Sequence, residues 1–218
     1  MFPPLNITST TAPAPFAGAV LSKAQFLIIV DPIDQEFTMP SEIQNHHIQP
    51  RVAALYVGPT QSSKAVLKAF SQSLIHQGIC VHGLLQENIV DEKGHRIGVD
   101  AIDIVRNDRI ELLRPTPYET KHKRCSLNLA QLSKTTVVLR RAVEQHADIA
   151  LVERFSKTES EGGGLAEDLL NLMASGVPTV VSVAKDETES WLRYCGGLAE
   201  TIDCNEHALM RWWKTILH

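Results

Sequence analysis

Two short stretches of this chain carry residue types and spacings that suit phosphate chemistry. The first is Gly58-Pro59-Thr60-Gln61-Ser62-Ser63-Lys64-Ala65. A phosphate-binding loop reads G-x-x-x-x-G-K-[ST]: bare backbone N–H groups surround the phosphates, the lysine reaches their outer oxygens, and the hydroxyl ligates Mg²⁺. Gly58 and Lys64 fit that spacing, whereas Ser63 replaces the second glycine and Ala65 the hydroxyl residue. A side chain at Ser63 disfavours positive φ and close backbone approach. Without a hydroxyl at Ala65, an Mg²⁺ would rest on phosphate oxygens, water and carboxylates. Ser62, Ser63 and the start of a helix still make an anion site with Lys64 as counter-charge.

The second stretch runs from Glu153 to Gly164, Glu-Arg-Phe-Ser-Lys-Thr-Glu-Ser-Glu-Gly-Gly-Gly, directly after the apolar run Ile149-Ala150-Leu151-Val152. An apolar strand ending in a carboxylate is what P-loop proteins place beside the metal. Glu153 is therefore the leading candidate for polarising water or holding Mg²⁺, with Glu159 and Glu161 as further catalytic candidates. Lys157 adds a cation, and Gly162, Gly163 and Gly164 allow close backbone approach or loop movement. The competing reading is a solvated surface loop.

Chemistry of this kind needs a scaffold that brings residues 58–64 and 153–164 to one edge. Val52 to Val57 is a continuous apolar run of strand length, as in strands buried on both faces of a parallel sheet. Ser62 or Ser63 then caps a helix with Val66, Ala69, Phe70 and Leu74 at helical spacing, ending at Gly78. Ile79–Gln86 and Asn88–Val90, then Arg96–Val105 and Ile110–Arg114, divided by turn residues, predict a β-meander. A helix over Leu127–His146, a buried strand at 148–152, a helix over 165–175, a third buried strand at 177–183, and helices over 186–194 and 205–217 follow, with only a short link between the last two. The alternation predicts a three-layer α/β fold around a mostly parallel sheet with an inserted β-meander. Ligands of such sheets sit at the carboxyl ends of the strands, which points to the loops at 58–64, 153–164 and 184–188.

At these residues the chain resembles a known group. Val152-Glu153-Arg154-Phe155-Ser156-Lys157 with Glu159, Glu161, Gly162 and Gly164, followed by Ala174-Ser175-Gly176-Val177-Pro178-Thr179-Val180, is similar to an uncharacterised bacterial family often encoded near molybdate-transport genes. That family is in turn similar to the nucleotide-kinase-like P-loop nucleoside triphosphatases, and Gly94-His95-Arg96-Ile97-Gly98 fits the wider group. The resemblance spans roughly residues 51–203. It implies a P-loop NTPase-like fold, Lys64 at the phosphate-loop lysine position and Glu153 at the metal-side acid position. Glu153 stands where the closer family commonly has Asn, and Ser156 where it has Gly.

Composition sets outer bounds. The 218 residues are 44% hydrophobic and 21% charged with a net charge of −4, which suits an ordinary globular protein and offers no bulk attraction for nucleic acid or anionic lipid. No apolar stretch approaches the ~20 residues that span a bilayer. The N-terminus lacks a secretory signal pattern, and the four cysteines form no C-x-x-C pair, so reduced thiols and a cytoplasmic location are expected. Residues 1–50, with a Ser/Thr/Ala/Pro-rich stretch at 8–16, a short strand over Ala24–Val30 and the His46-His47 pair, are expected to form a flexible extension, and 51–218 the α/β domain. The expected function is a nucleotide- or anion-binding protein with a degenerate phosphate loop, with weak nucleoside-triphosphate hydrolysis and Mg²⁺ as its cofactor. The alternative is a non-catalytic regulatory or oxyanion-binding module linked to molybdate. A third reading takes Trp212-Trp213 as part of an interaction surface, since one of two adjacent helical tryptophans tends to leave the core face.

Overall fold

A computed structural model describes residues 51–122 and 129–217. The expectations for the leader, the Ala24–Val30 strand, His46-His47 and Cys125 lie outside the described residues.

Among the described residues seven strands form one sheet, β1 (Val52–Val57), β2 (Val81–Val90), β3 (Arg96–Asp103), β4 (Arg109–Leu113), β5 (Ile149–Phe155), β6 (Thr179–Ala184) and β7 (Ala199–Asp203), in the order β4-β3-β2-β5-β6-β1-β7. All pairings from β2 through β7 are parallel, and β2-β3-β4 is the expected antiparallel meander. The α-helices are α1 (Ser63–His76), α2 (Pro117–His122), α3 (Leu129–Glu144), α4 (Lys157–Ser160), α5 (Ala166–Ala174), α6 (Thr188–Cys195) and α7 (Glu206–Ile216).

The period-2 alternation of a strand sends successive side chains to opposite faces, and both faces are apolar here. Ala53, Leu55, Ile149, Leu151 and Val180 pack with Leu67 and Phe70 of α1 and Leu209 and Trp212 of α7. Val52, Ala54, Ala150, Val152 and Val181 pack on the other face with Leu139 of α3, Leu172 of α5 and Trp191 of α6. This is the three-layer arrangement that the alternation of elements predicts.

Three expectations change. The link between the last two helices contains β7, which adds to the free side of β1. Only Ile202 of its five residues is buried, so it lacks the apolar run that marks the interior strands. The second stretch contains a one-turn helix, α4, with Ser156 as its N-cap. Trp212 and Trp213 are both buried, each 3% exposed, in the α1–α7 layer. The helix sits against both the sheet and α1, which gives two adjacent positions a covered environment.

One polar cluster lies on the α3 face. His82 of β2 is buried, and the Arg141 guanidinium donates to Asp103 at 2.6 Å, both also buried. Burial, and secondarily the Arg141 charge, lowers the His82 pKa. The unfolded chain therefore takes up this proton first, so the stability from a neutral His82 is present above the ordinary histidine value and lost as pH falls below it. Wild-type protein should lose stability through this group, at up to ~1.4 kcal/mol per pH unit, as pH falls below about 6.5. His82→Gln should show a shallower slope in pH-dependent thermal melts, and equal slopes would assign the acid sensitivity elsewhere.

Candidate functional site

The carboxyl ends of β1, β5 and β6 and the start of α1 enclose a cleft of about 710 Å³. Gly58, Ser62, Ser63, Lys64 and Glu153 all line it. β1 ends at Val57, and Gly58 opens a tight turn in which its carbonyl accepts from the Gln61 N–H at 3.1 Å and its N–H donates to Gln61 Oε1 at 2.8 Å. Ser62 caps α1, its hydroxyl accepting from the Ala65 N–H at 3.3 Å. The first turn of α1 has no acidic residue. The positive end of a 14-residue helix and the Lys64 ammonium thus face the same cleft, an arrangement that disfavours the lysine unless an anion answers it. That anion is Glu87 of β2: Lys64 Nζ is ion-paired with its Oε1, and Arg109 pairs with the other carboxylate oxygen.

Glu153 comes from the carboxyl end of β5. Ile149, Leu151 and Glu153 share one face of β5, so the carboxylate continues the row that packs on α1 and meets that helix at its N-terminus. It is 7% exposed, accepts from the Ser63 hydroxyl at 2.6 Å through Oε1 and from the Gln86 N–H at 3.0 Å through Oε2. Burial raises its pKa above the ordinary glutamate value, against the opposing pull of those two hydrogen bonds and the Lys64 and Arg154 charges. The raised value makes it a better proton acceptor than a solvated carboxylate.

Ser63 is the informative departure. Sequence reading gives it the second-glycine position and leaves the loop without a hydroxyl at Ala65. In the structure the Ser63 hydroxyl lies against the strand carboxylate, the pairing that a P-loop hydroxyl and its acid make around the metal. One carboxylate and one hydroxyl, completed by phosphate oxygens and water, match what Mg²⁺ requires of a protein. Among the described residues no three His, Cys, Asp or Glu side chains gather into a self-sufficient metal cage.

The other expected residues have different work. Glu159 is buried and spent on local structure: Oε2 accepts from the Ser156 N–H at 3.1 Å and hydroxyl at 2.5 Å, and Oε1 from the Leu165 N–H at 3.3 Å. Gly164, at φ +59°, leaves room for that carboxylate, since a Cβ there would stand 2.2 Å from Glu159 Oε1. The N–H groups of Gly162 and Gly163 donate to the carbonyls of Glu159 and Thr158. Lys157 and Glu161 pair with each other at 3.6 Å on the exposed side of α4 and line a separate cavity. The structure therefore brings the first stretch to Glu153 and leaves Lys157, Glu161 and the glycines outside that cleft.

Sequence reading missed Gln86, Glu87 and Ser182. The first two lie on β2, 67 and 23 residues from the groups they touch, in a run with no local signal beyond strand periodicity. Ser182, on β6 between the two stretches, is fully buried and lines the cleft, and its hydroxyl has no hydrogen-bond partner among the described residues.

Comparison with known proteins agrees with this architecture. The solution structure of a human cancer-related nucleoside triphosphatase superposes with a TM-score of 0.52 at 16% identity, covering 77% of this chain and 95% of that one. The shared fold is a mostly parallel, P-loop NTPase-like α/β sheet. The molybdenum import ATP-binding protein ModC 2 of Bradyrhizobium diazoefficiens is 30% identical over 164 residues, 75% of this chain. The chain spans only 18% of that relative's length. Residues 52–212, from the first strand of the sheet to the last helix, match the model of the family described as "Protein of unknown function (DUF2478)", and the chain belongs to that family.

Proposed function

We propose that the cleft between α1 and β5 binds the phosphates of a nucleoside triphosphate with Mg²⁺, and that Glu153 supports slow hydrolysis. The observation that carries this reading is the Ser63–Glu153 hydrogen bond at 2.6 Å, which joins the loop after β1 to the end of β5 beside the Lys64 ammonium. Gly58, Ser62 and Ser63 shape the phosphate side, and the α1 N-terminus and Lys64 supply positive potential. Mg²⁺, held by Ser63 and Glu153 with phosphate oxygens, would neutralise charge on the phosphates. Lys64 leaves Glu87 for a phosphate oxygen, and Glu153 orients water and accepts its proton. The likenesses to an ATP-binding protein and to a nucleoside triphosphatase support the ligand class.

The test pairs a thermal-shift panel with a phosphate-release assay, using ATP and GTP with Mg²⁺. Binding at a hundred times the dissociation constant should stabilise the protein by ~2.7 kcal/mol, or roughly 5–10 °C in a chain of this size. Glu153→Gln should reduce the Mg²⁺-dependent part of the shift and lose at least about tenfold in phosphate release, in line with the contribution of a positioned base. No shift with either nucleotide overturns the reading. A shift with molybdate or tungstate but none with nucleotides would instead favour the oxyanion-binding module, to which the relative named for molybdenum import lends support.

A further inference from the structure

Glu153 and Arg154 stand between two cavities. Besides the phosphate cleft, a second cavity of about 250 Å³ opens on the opposite, α3-facing side of the sheet. Its body is aliphatic, built by Leu84, Val99 and Ala101 of the meander with Leu112, Leu132 and Leu165. Arg96 and Arg154, both exposed, line it, and neither guanidinium has a hydrogen bond or ion pair among the described residues. The two carboxylates in its wall are already engaged, Glu153 by Ser63 and Gln86, and Glu159 by Ser156 and Leu165. The cavity therefore combines an apolar body with two guanidiniums whose N–H groups make no hydrogen bond among the described residues, Arg154 acting on Glu153 through charge alone.

From this arrangement we infer a second binding site, for a small monocarboxylic acid with an aromatic or branched aliphatic body. The volume falls below the roughly 300–1,000 Å³ of sites for drug-sized ligands, which limits the occupant to a compact molecule. Removal of its apolar part from water supplies affinity. The two free forks supply selection for a planar carboxylate, because a guanidinium pairs with one through two parallel hydrogen bonds. A phosphate-rich ligand gains nothing from the aliphatic body, and a neutral hydrocarbon leaves the arginines unanswered. Lys64 and the α1 N-terminus do not line this site, while Gln86, Glu153 and Arg154 border both cavities.

The probe is 2-naphthoate, with neutral 2-naphthamide as its control, titrated into the full chain by calorimetry and by methyl NMR. The acid should bind at least ten times more tightly than the amide and shift the methyl resonances of Val99, Ala101 and Leu112. Arg96→Ala with Arg154→Ala should reduce the acid to the amide's affinity, and Leu132→Trp, which fills the cavity, should remove binding of both. Lys64→Ala should leave naphthoate binding unchanged, so failure of the phosphate reading and failure of this one are separable. Equal binding of acid and amide, no binding of either, or shifts confined to methyls outside the cavity would overturn the proposal. The methyl map of the wild-type protein decides the matter if Leu132→Trp does not fold.

Discussion

Lys64→Ala should weaken triphosphate binding by about 10- to 100-fold, the loss expected when one charge-assisted contact to phosphate is removed. Glu87→Gln should act in the opposite direction. In the free protein Glu87 holds the Lys64 ammonium, so every anion entering the cleft competes with a built-in carboxylate. The pair is partly exposed, 30% for Lys64 and 26% for Glu87, and Glu87 is shared with Arg109. A contact of that kind is worth up to ~1 kcal/mol, so releasing the lysine should tighten binding up to about fivefold. The double variant should bind like Lys64→Ala alone, because the gain exists only when the lysine is there to be released. Isothermal titration with Mg²⁺–ATP reads all three. A Glu87→Gln protein that binds more weakly than wild type would mean that Glu87 contributes directly to ligand binding.

Gly83→Ala should be the most destabilising single methyl in the domain. Gly83 lies in β2 at φ +132°, where an L side chain is strained, and a Cβ built there would stand 1.9 Å from the backbone oxygen of Leu151 in β5. Neither group can yield cheaply, because both are backbone in two hydrogen-bonded central strands. The loss should exceed ~3 kcal/mol, combining backbone strain with overpacking. Leu151 is two residues before Glu153, so whatever folded protein remains should also bind Mg²⁺–ATP poorly. Gly78→Ala is the control: it too has positive φ, +82°, but a Cβ there meets nothing within 4 Å, and the cost should stay near ~1 kcal/mol. Urea melts of the two variants give the comparison, and similar midpoints would show that the sheet relaxes around Gly83.

The same residues show how far the sequence is legible. Val52–Val57, Ile149–Val152 and Val177–Val183 announce interior strands because both faces of the sheet are covered, and an uninterrupted apolar run is the direct consequence. β7 gives no such sign, since an edge strand with one buried side chain looks like a loop. Glu153 is legible as a carboxylate at the end of an apolar run. Its neighbour Glu159 has the same chemistry in sequence, yet three local donors claim it, and nothing in the letters separates a cap from a free acid. The partners of Lys64 and Glu153 on β2 depend on strand order, which periodicity does not encode. At Ser63 the motif position suggests a defect, whereas the fold shows its hydroxyl donating to the Glu153 carboxylate, a contact that spacing alone does not reveal.

The strand order has a consequence for how the chain comes into being. β1, which precedes every other described element, pairs only with β6 and β7, so Val52 finds its neighbours at Thr179 and Ala199, 127 and 147 positions downstream. During synthesis the ribosome must deliver most of the domain before that strand acquires a single sheet partner. The meander, whose strands are consecutive, can close first, while Val-Ala-Ala-Leu-Tyr-Val waits as an unpaired apolar segment. Such long-range parallel pairing is slow, and the interval exposes a sticky stretch to other nascent chains. The loop after β1 is thus translated before every other described loop and completed last, and a holding chaperone would find its natural client segment in β1 itself.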